Sequence, residues 1–545
     1  MKATIKTGKV MTAEAAVAEI ATGATIASVG VIGWVTPDRC LAALGQRHRD
    51  TGAPSNLTLY LPVGTGDAME IKGMDHLAQE GMLKRIVSGS YINPVNPKTG
   101  QRPELMRLIR ENKIEAYSWP IGASMHWLRE VARKSPGYLT SVGQGTYIDP
   151  EHGGGKFTER AKDDLVRAVT FEGQRYLFYP TWKIDVAFIR ASTADEFGNL
   201  SWEDEALVSS SVALALAVKA CGGRVIAQVR RVVPRGSRQA TQVPLPGVLV
   251  DAVVIDEEQM MVTQTPFDAS YLGGQPMGPV IGRLPRMPFA ADKIVAWRAA
   301  QETRTHELSI LGFGASSDMP LVMAETGQLN AQTVRDYWFT TEHGSYGGVV
   351  MSGWQFSANV NPEAILDGLS QFDLIDAGLC EFAALAFAEF DSNGVVNVSR
   401  FGTANPGAGG FIDIAENAKR LVFCGTFTTG GLEVRIEDGQ LQIVREGRQR
   451  KFVAQASHIT YRVTDGVADR AQEATIITER AVFRVDSDGL TLTEIAPGID
   501  IQTQVLDQMD FRPVRIAPDL RRMDLALFAR QTHLVAEGLL TETAP

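Results

Sequence analysis

One short polar stretch contains a residue that could act as a nucleophile. Residues Thr340–Gly348 read "TTEHGSYGG", and their single carboxylate is Glu342. A carboxylate is a weak nucleophile, so it needs a dry, fixed setting and a good leaving group such as the thiolate of a thioester. The stretch by itself is more typical of a solvated loop. His343 follows directly, but neighbouring residues of an extended strand face opposite sides, which predicts that His343 points away from Glu342.

Glycine clusters elsewhere could supply backbone amides to a reacting group. The stretch "NPGAGGFIDIAENAKRLVF" places Gly407, Gly409 and Gly410 before a helical pattern. Their amides could face one point, as an oxyanion hole requires, although a flexible connector explains the glycines equally well. The turns at Gly312–Gly314 and Gly30–Gly33 each join a short strand to a helix start, where amides suit an anion or glycine suits tight packing. Neither turn matches the P-loop or the full dinucleotide fingerprint.

The remaining composition excludes several classes of protein. The histidines show no metal-like spacing, the four cysteines form no CxxC pair, and Cys380 and Cys424 lie in apolar surroundings typical of a core. No metal is therefore expected, and a reducing compartment fits. The net charge of −10 disfavours nucleic acid and anionic membranes as partners. No leader-like segment is seen, and no apolar run approaches the roughly 20 residues that cross a bilayer, which predicts a cytoplasmic protein.

The elements that would position these residues alternate between strands and helices. The run "ATIASVG" predicts a buried strand, and after the glycine turn Pro37 begins a helix. The segment "ELSILGFGASSDMPLVMAETG" repeats this plan with Pro320. Further short β-branched runs lie between helical patterns. The sequence therefore predicts an α/β protein with mostly parallel sheets flanked by helices.

Internal similarity predicts a duplication. Besides the strand–turn–helix pair, "ASTADEFGNLSW" resembles "AEFDSNGVVNVS" and "ACGGRVIAQV" resembles "NAKRLVFCGT", in the same order along the chain. A chain of 545 residues is also too long for one core. We expect two tandem, similar, open α/β domains over residues 1–275 and 293–545, with a Gly- and Pro-rich linker over 276–292. Near the carboxyl end, an amphipathic helix is expected to begin at Pro518-Asp519.

Many ordered segments together resemble one family. The chain is similar to the family I coenzyme A transferases of the fused two-domain type, such as the acetate or propionate CoA-transferases and the acyl-CoA:acetate/3-ketoacid CoA-transferases. The segments that carry the resemblance in the first half are "GWVTPDRCLAAL", "HLAQEGMLKRIVSGSY", "NKIEAYSWPIG", "VGQGTYIDPEHGGGK", "IDVAFIRASTADEFGNLSWEDEA" and "GGRVIAQV". In the second half they are "TTEHGSYGG", "NPEAILDGLSQFDLIDAG", "NVSRFGTANPGAGGFIDIAENAKRLVFCGTFT" and "DLRRMDLALF".

The resemblance implies a ping-pong transfer of CoA between carboxylic acids, with the active site between two α/β halves. The glutamate of the family's E-x-G motif corresponds to Glu342, which would carry the CoA as a thioester. The oxyanion-hole amide would come from Gly409 or Gly410, and the turn at Gly312 and Gly314 would face CoA. Coenzyme A would be a substrate, with no permanently bound cofactor and no metal. The partners would be acyl-CoA and small carboxylic acids, and relatives suggest a homodimer or homotetramer.

The chain departs from the family pattern around the expected acid substrate. That side would include Gly33, Ile121 and Gly122, and Ile121 stands where relatives often have glutamine. His343 replaces a small residue or proline, so that it either adjusts acid specificity or points away. The stretch "DAGLCE", residues 376–381, has lost two glycines. Two alternatives remain at this point: an acyl-CoA hydrolase on the same scaffold, and a non-catalytic CoA-binding protein.

Overall fold

The computed structural model describes residues 8–91, 100 and 102–528. Up to residue 275 the helices are α1 (Ala13–Val17), α2 (Asp38–Thr51), α3 (Glu104–Arg110), α4 (Ile121–Arg133) and α5 (Ser211–Ala220). The strands of this half are β1 (Thr25–Ser28), β2 (Leu57–Leu61), β3 (Leu83–Ser88), β4 (Glu115–Ser118), β5 (Gly137–Thr140), β6 (Arg167–Phe171), β7 (Gln174–Pro180), β8 (Val186–Asp195), β9 (Leu200–Ser201), β10 (Arg224–Val233) and β11 (Ala252–Ile255).

The rest of the described chain forms a second set of elements. Its helices are α6 (Met277–Gly282), α7 (Ala291–Ala300), α8 (Met319–Glu325), α9 (Gly368–Asp376), α10 (Phe411–Asn417), α11 (Val463–Arg470) and α12 (Ile501–Gln504). Its strands are β12 (Leu308–Leu311), β13 (Trp338–Thr340), β14 (Ser345–Tyr346), β15 (Val349–Val350), β16 (Asn359–Val360), β17 (Ala364–Ile365), β18 (Phe382–Ala386), β19 (Glu389–Asp391), β20 (Val395–Asn397), β21 (Arg420–Cys424), β22 (Thr428–Thr429), β23 (Glu433–Glu437), β24 (Gln440–Arg445), β25 (Gln449–Arg450), β26 (Phe452–Val453), β27 (Tyr461–Arg462), β28 (Glu473–Ile477), β29 (Ala481–Asp486), β30 (Gly489–Ile495) and β31 (Arg515–Arg522).

The first half is built on a parallel sheet with the strand order β11-β10-β8-β1-β2-β3-β4. Every neighbouring pair in this row is parallel. Strand β8 is buried at all of its positions, as expected for a strand covered on both faces. The helix start predicted at Pro37 is confirmed, since Pro37 directly precedes α2, and the Thr12 hydroxyl accepts the Ala15 amide at the start of α1.

The second half contains a larger mixed sheet in the order β17-β14-β13-β12-β18-β21-β28-β29-β30-β31. Its centre, from β13 to β28, is parallel. The row β28-β21-β18-β12-β13 has the same topology as β11-β10-β8-β1-β2 in the first half. The similar segments "ASTADEFGNLSW" and "AEFDSNGVVNVS" also correspond, since the first contains the antiparallel pairing of β8 with β9 and the second that of β19 with β20. The predicted fold of two similar α/β halves with mostly parallel sheets is therefore confirmed.

The division into domains stays a proposal. The strands of the first large sheet fall within residues 25–255 and those of the second within 308–522, on either side of the proposed linker 276–292. That segment is not structureless, because it includes α6, whose Val280 is buried.

The prediction of a helix at the carboxyl end was wrong. Residues Arg515–Arg522 form β31, an edge strand that pairs in parallel with β30. Glu494 of β30 accepts a hydrogen bond from Arg521 at 2.7 Å and is also bound by Arg298. The free edge of β30 and this ion pair override the local helical pattern, and Pro518 is tolerated because edge strands need not donate every amide.

Candidate active site

Glu342 lies in the tight turn between β13 and β14, where Thr340 pairs with Tyr346. Gly344 permits this turn: its φ is +89°, and a side chain there would collide with the Leu366 carbonyl. The chain therefore reverses directly after Glu342. The Glu342 side chain is 17% exposed, so the carboxylate is not the solvated loop charge that the local sequence suggests.

The residue before Glu342 is fixed from two directions. The Thr341 hydroxyl donates to the Ser357 carbonyl at 2.8 Å, and Gln371 of α9 donates to the Thr341 carbonyl at 2.7 Å. The Tyr346 hydroxyl in turn contacts Gln371. Such contacts limit the backbone motion of the turn that carries Glu342. The roles of Thr341 and Gln371 were not predicted from the sequence.

The prediction that His343 points away from Glu342 was wrong. His343 Nε2 lies 3.4 Å from Glu342 Oε1, and the imidazole is buried. The alternation of side chains applies to strands, whereas these two residues occupy a turn, so both side chains can face the same space.

Two glycines of the "GAGG" stretch lie directly against the carboxylate. A Cβ on Gly410 would lie 2.5 Å from Glu342 Oε2, and one on Gly409 would lie 3.6 Å from Oε1. Gly409 also has a φ of +60°, which favours glycine. Gly410 instead has an ordinary φ of −86° and begins α10. The absence of a side chain at Gly410 therefore leaves space for Glu342.

Residues 406–410 form a loop, the glycine loop, which belongs to the second half but is bound by backbone hydrogen bonds to the first half. The Gly409 amide donates to the Gly89 carbonyl at 3.1 Å, and the Ile121 amide donates to the Gly409 carbonyl at 3.0 Å. The Tyr91 amide donates to the Pro406 carbonyl at 2.7 Å. Gly89 follows β3, so the contact is made at the carboxyl ends of parallel strands, where α/β proteins bind ligands.

The segment "VGQGTYIDPEHGGGK" contributes a second set of contacts between the halves. The Tyr147 hydroxyl lies 3.0 Å from Ser118 Oγ, and its ring stacks on His458 at 4.4 Å. The Tyr147 amide donates to the Ile459 carbonyl at 2.7 Å. Ser118 in turn fills the space beside Gly407, where a Cβ would lie 2.6 Å from Ser118 Oγ. These supporting residues were not found from the sequence.

The residues predicted on the acid-substrate side lie in different surroundings. Ile121 is buried, with its Cδ1 4.0 Å from the position of a Cβ on Gly409. Gly33 packs within its own half, where an added Cβ would lie 3.1 Å from Thr263 Oγ1. The indole N–H of the neighbouring Trp34 donates to the Phe356 carbonyl of the second half. Ile121 is therefore brought to the glycine loop, whereas no contact joins Gly33 to Glu342 within the described ranges.

The Gly312–Gly314 turn lies at the carboxyl end of β12, beside β18. The Gly312 amide donates to the Ala384 carbonyl, and a Cβ on Gly314 would meet Ala386. These contacts account for the glycines by packing, and CoA binding there stays a prediction. Across residues 8–91, 100 and 102–528, no cluster of candidate metal ligands is found, and no helix combines the length and hydropathy needed to span a membrane.

Gly122 packs against Asp413 at the junction of α4 and α10. The Gly122 amide donates to Asp413 Oδ2 at 3.3 Å, and a side chain at Gly122 would collide with that carboxylate. Asp413 is buried, and this desolvation, together with the nearby Asp376, raises its pKa well above the usual range. Gly122 thus helps to join the two halves.

We expect Asp413→Asn to remove a pH-dependent loss of stability. The folded protein favours the protonated carboxyl, so the contribution of Asp413 to the free energy of unfolding is at its maximum below the unfolded-state pKa. It is lost as the pH rises through the folded-state pKa. The Asn variant keeps an acceptor for Gly122 and does not ionise. Its free energy of unfolding relative to wild type should rise between pH 4 and 8, by at most about 1.4 kcal/mol per pH unit. Denaturant unfolding across this range measures it, and a constant difference would contradict the assignment.

Comparisons with known proteins identify relatives of this chain. The family model described as "Coenzyme A transferase" matches residues 10–256. The acetate CoA-transferase YdiF of Escherichia coli K12 is 38% identical over 529 residues, which cover 95% of each chain. The caffeate CoA-transferase of Acetobacterium woodii is 36% identical over 533 residues, 96% of this chain and 98% of that one.

A solved structure is also similar to this chain over nearly its whole length. It is the acyl-CoA transferase YdiF of Escherichia coli O157:H7, in a thioester complex with CoA. The match has a TM-score of 0.85 at 37% identity and covers 96% of both chains. Sequence and fold thus agree over nearly the whole length, and the chain belongs to the coenzyme A transferase family as a fused two-domain enzyme that transfers CoA.

Proposed function

We propose that the enzyme moves CoA from an acyl-CoA donor to a carboxylic acid through a glutamyl-CoA thioester on Glu342. One observation carries this proposal: the Glu342 carboxylate is largely buried in a rigid turn, between the imidazole of His343 and the side-chain-free surface of Gly410. A carboxylate held in this way meets the requirements for attack on a thioester.

In the first half-reaction, a Glu342 oxygen attacks the thioester carbonyl carbon of the donor. The carbon–sulfur bond breaks, and CoA leaves as a thiolate with the bonding electron pair, giving a mixed anhydride. The thiolate then attacks Cδ of Glu342. The donor acid leaves as a carboxylate that contains the attacking oxygen, and the glutamyl-CoA thioester remains. No net proton transfer occurs, and the energy of the thioester is retained at each step.

In the second half-reaction, the acceptor carboxylate attacks Cδ of the glutamyl thioester. CoA thiolate leaves, a second mixed anhydride forms, and the thiolate attacks the acceptor's carbonyl carbon. The new acyl-CoA is released, and Glu342 regains a carboxylate with one oxygen from the acceptor acid. The donor acid leaves before the acceptor acid reacts with the covalent intermediate, which is the basis of ping-pong kinetics.

Gly410 is the better candidate for the amide of the oxyanion hole. The Gly409 amide already donates to Gly89, whereas within the described part of the chain the Gly410 amide has no recorded acceptor. It also lies at the start of α10, where amides are free to stabilise negative charge. We further propose that CoA approaches along Gly312–Gly314 and that the acid lies near Ile121.

The nature of the acid follows from Ile121 and from the relatives. A buried isoleucine in place of a polar residue favours an acid with an apolar body. The two relatives are named for acetate and caffeate, which differ greatly in size. A panel of acceptors must therefore span short, hydroxy, keto, dicarboxylic and aromatic acids. A homodimer or homotetramer and a cytoplasmic location stay predictions.

The test combines turnover with trapping of the intermediate. We expect transfer from acetyl-CoA or caffeoyl-CoA to at least one acid of the panel, with ping-pong kinetics. Incubation with the donor alone should leave CoA bound to the protein, and borohydride reduction with peptide mapping should locate it at Glu342. Release of CoA without an acid, faster than transfer to any acid, would identify a hydrolase instead. Binding of CoA without turnover would identify a non-catalytic protein.

A further inference from the structure

The imidazole of His343 lies beside the carboxylate of Glu342. Nε2 lies 3.4 Å from Oε1, and the His343 side chain is only 4% exposed. A carboxylate oxygen accepts hydrogen bonds, so Nε2 is the ring nitrogen placed to donate to it. In a site shielded from water, this interaction is stronger than it would be at the surface.

The other polar atoms of His343 do not explain its burial. Its Nδ1 is buried without a hydrogen-bond partner among the residues that the structure describes. Its backbone amide donates to Thr341 Oγ1 at 3.3 Å, which any residue except proline could do at this position. A histidine kept only for packing would normally have its buried ring nitrogens satisfied. The polar contact recorded for the ring is instead the one with Glu342.

The two oxygens of Glu342 therefore have different neighbours. Oε2 occupies the space left by the missing side chain of Gly410, whereas Oε1 lies 3.4 Å from Nε2 of His343. An oxygen that faces a donor is suited to carry negative charge.

We propose that His343 is a catalytic residue whose Nε2–H donates to the Glu342 oxygen that becomes the carbonyl oxygen of the glutamyl thioester. This inference rests on the proposed function. When CoA thiolate attacks Cδ, the carbonyl bond opens and negative charge collects on Oε1, next to Nε2–H. The charge is stabilised without transfer of the proton, and the carbonyl re-forms as the donor acid leaves with Oε2. His343 thus acts beside the backbone amide proposed for the oxyanion hole.

Two isosteric substitutions separate this role from packing. The amide nitrogen of Gln reaches about as far as Nε2 of histidine, whereas that of Asn reaches about as far as Nδ1. We expect H343Q to form the glutamyl-CoA adduct within about threefold of the wild-type rate. H343N and H343A should form it about 10²-fold more slowly, the usual effect of losing an oxyanion donor. Quenched-flow mass spectrometry with acetyl-CoA and caffeoyl-CoA measures these rates.

Unfolding temperatures and KM values are the controls for this experiment. The Gln and Asn variants should unfold at similar temperatures and keep similar KM values for acyl-CoA, so that their difference lies in kcat. If H343A does not fold, the comparison of Gln with Asn still decides the question. Equal rates for Gln and Asn, or rates within threefold of wild type for all variants, would overturn the role of His343 and leave Glu342 as the nucleophile. Absence of an adduct in the wild-type enzyme would overturn both.

Discussion

Glu342→Gln should abolish CoA transfer while leaving the fold intact. Gln has nearly the same shape and can occupy the same turn, but its amide does not attack a thioester. Removing the nucleophile of a covalent enzyme lowers kcat by roughly 10⁴- to 10⁶-fold, so we expect a loss in this range for every donor and acid pair. Steady-state kinetics with the best pair of the panel measures it, and the trapped CoA adduct should disappear in parallel.

Two further variants support the interpretation of this result. Glu342→Ala excludes a slow return of activity by deamidation of Gln. Glu258→Gln, an exposed carboxylate in the first half, should behave as wild type. If Glu342→Gln keeps more than about a tenth of the activity, or if the adduct maps to another residue, the covalent mechanism through Glu342 is wrong.

Gly410→Ala should lower kcat by far more than it lowers stability, although the ring of Phe372, 3.1 Å from the added Cβ, must also shift slightly. The backbone at Gly410, with φ −86° and ψ 5°, accepts alanine without strain. The added methyl group would lie 2.5 Å from Glu342 Oε2, so the carboxylate must move. A displacement of about 1 Å in a reacting group can cost about 10²-fold in rate, and we expect a loss of this size in the rate of adduct formation.

The matched control is Gly282→Ala at the end of α6, where an added Cβ has no neighbour within 4 Å. Its kinetics should equal those of the wild type. A kcat for Gly410→Ala within threefold of wild type, at an unchanged unfolding temperature, would show that Glu342 does not need the space in front of Gly410.

Much of the fold was predictable because its signals are local. Buried parallel strands appear in the sequence as short β-branched runs, and the Thr12 cap and Pro37 mark helix starts. The carboxyl-terminal strand was not predictable in the same way. Residues 515–522 form a strand because β30 offers an edge and Glu494 offers an ion pair, and both are distant in sequence.

Less of the site than of the fold was predictable from local sequence patterns. Glu342 itself emerged from the resemblance of the whole chain, not from its neighbours in the sequence. The orientation of His343 depends on the exact place where the chain turns, which the pairing of Thr340 with Tyr346 decides. Gly122 was predicted to face the acid, and the structure shows its contact with Asp413 across the junction of the halves. No sequence pattern within either half predicts such a contact.

The attachment of the glycine loop to the first half has a consequence for the order of folding. Gly409 and Pro406 are anchored by Gly89, Ile121 and Tyr91 across the junction, so the loop that borders Glu342 acquires its shape only when the halves dock. A chain in which each sheet has formed but the halves are still apart lacks an assembled catalytic centre. We therefore expect the recovery of activity during refolding to follow the docking of the two halves and not the appearance of secondary structure.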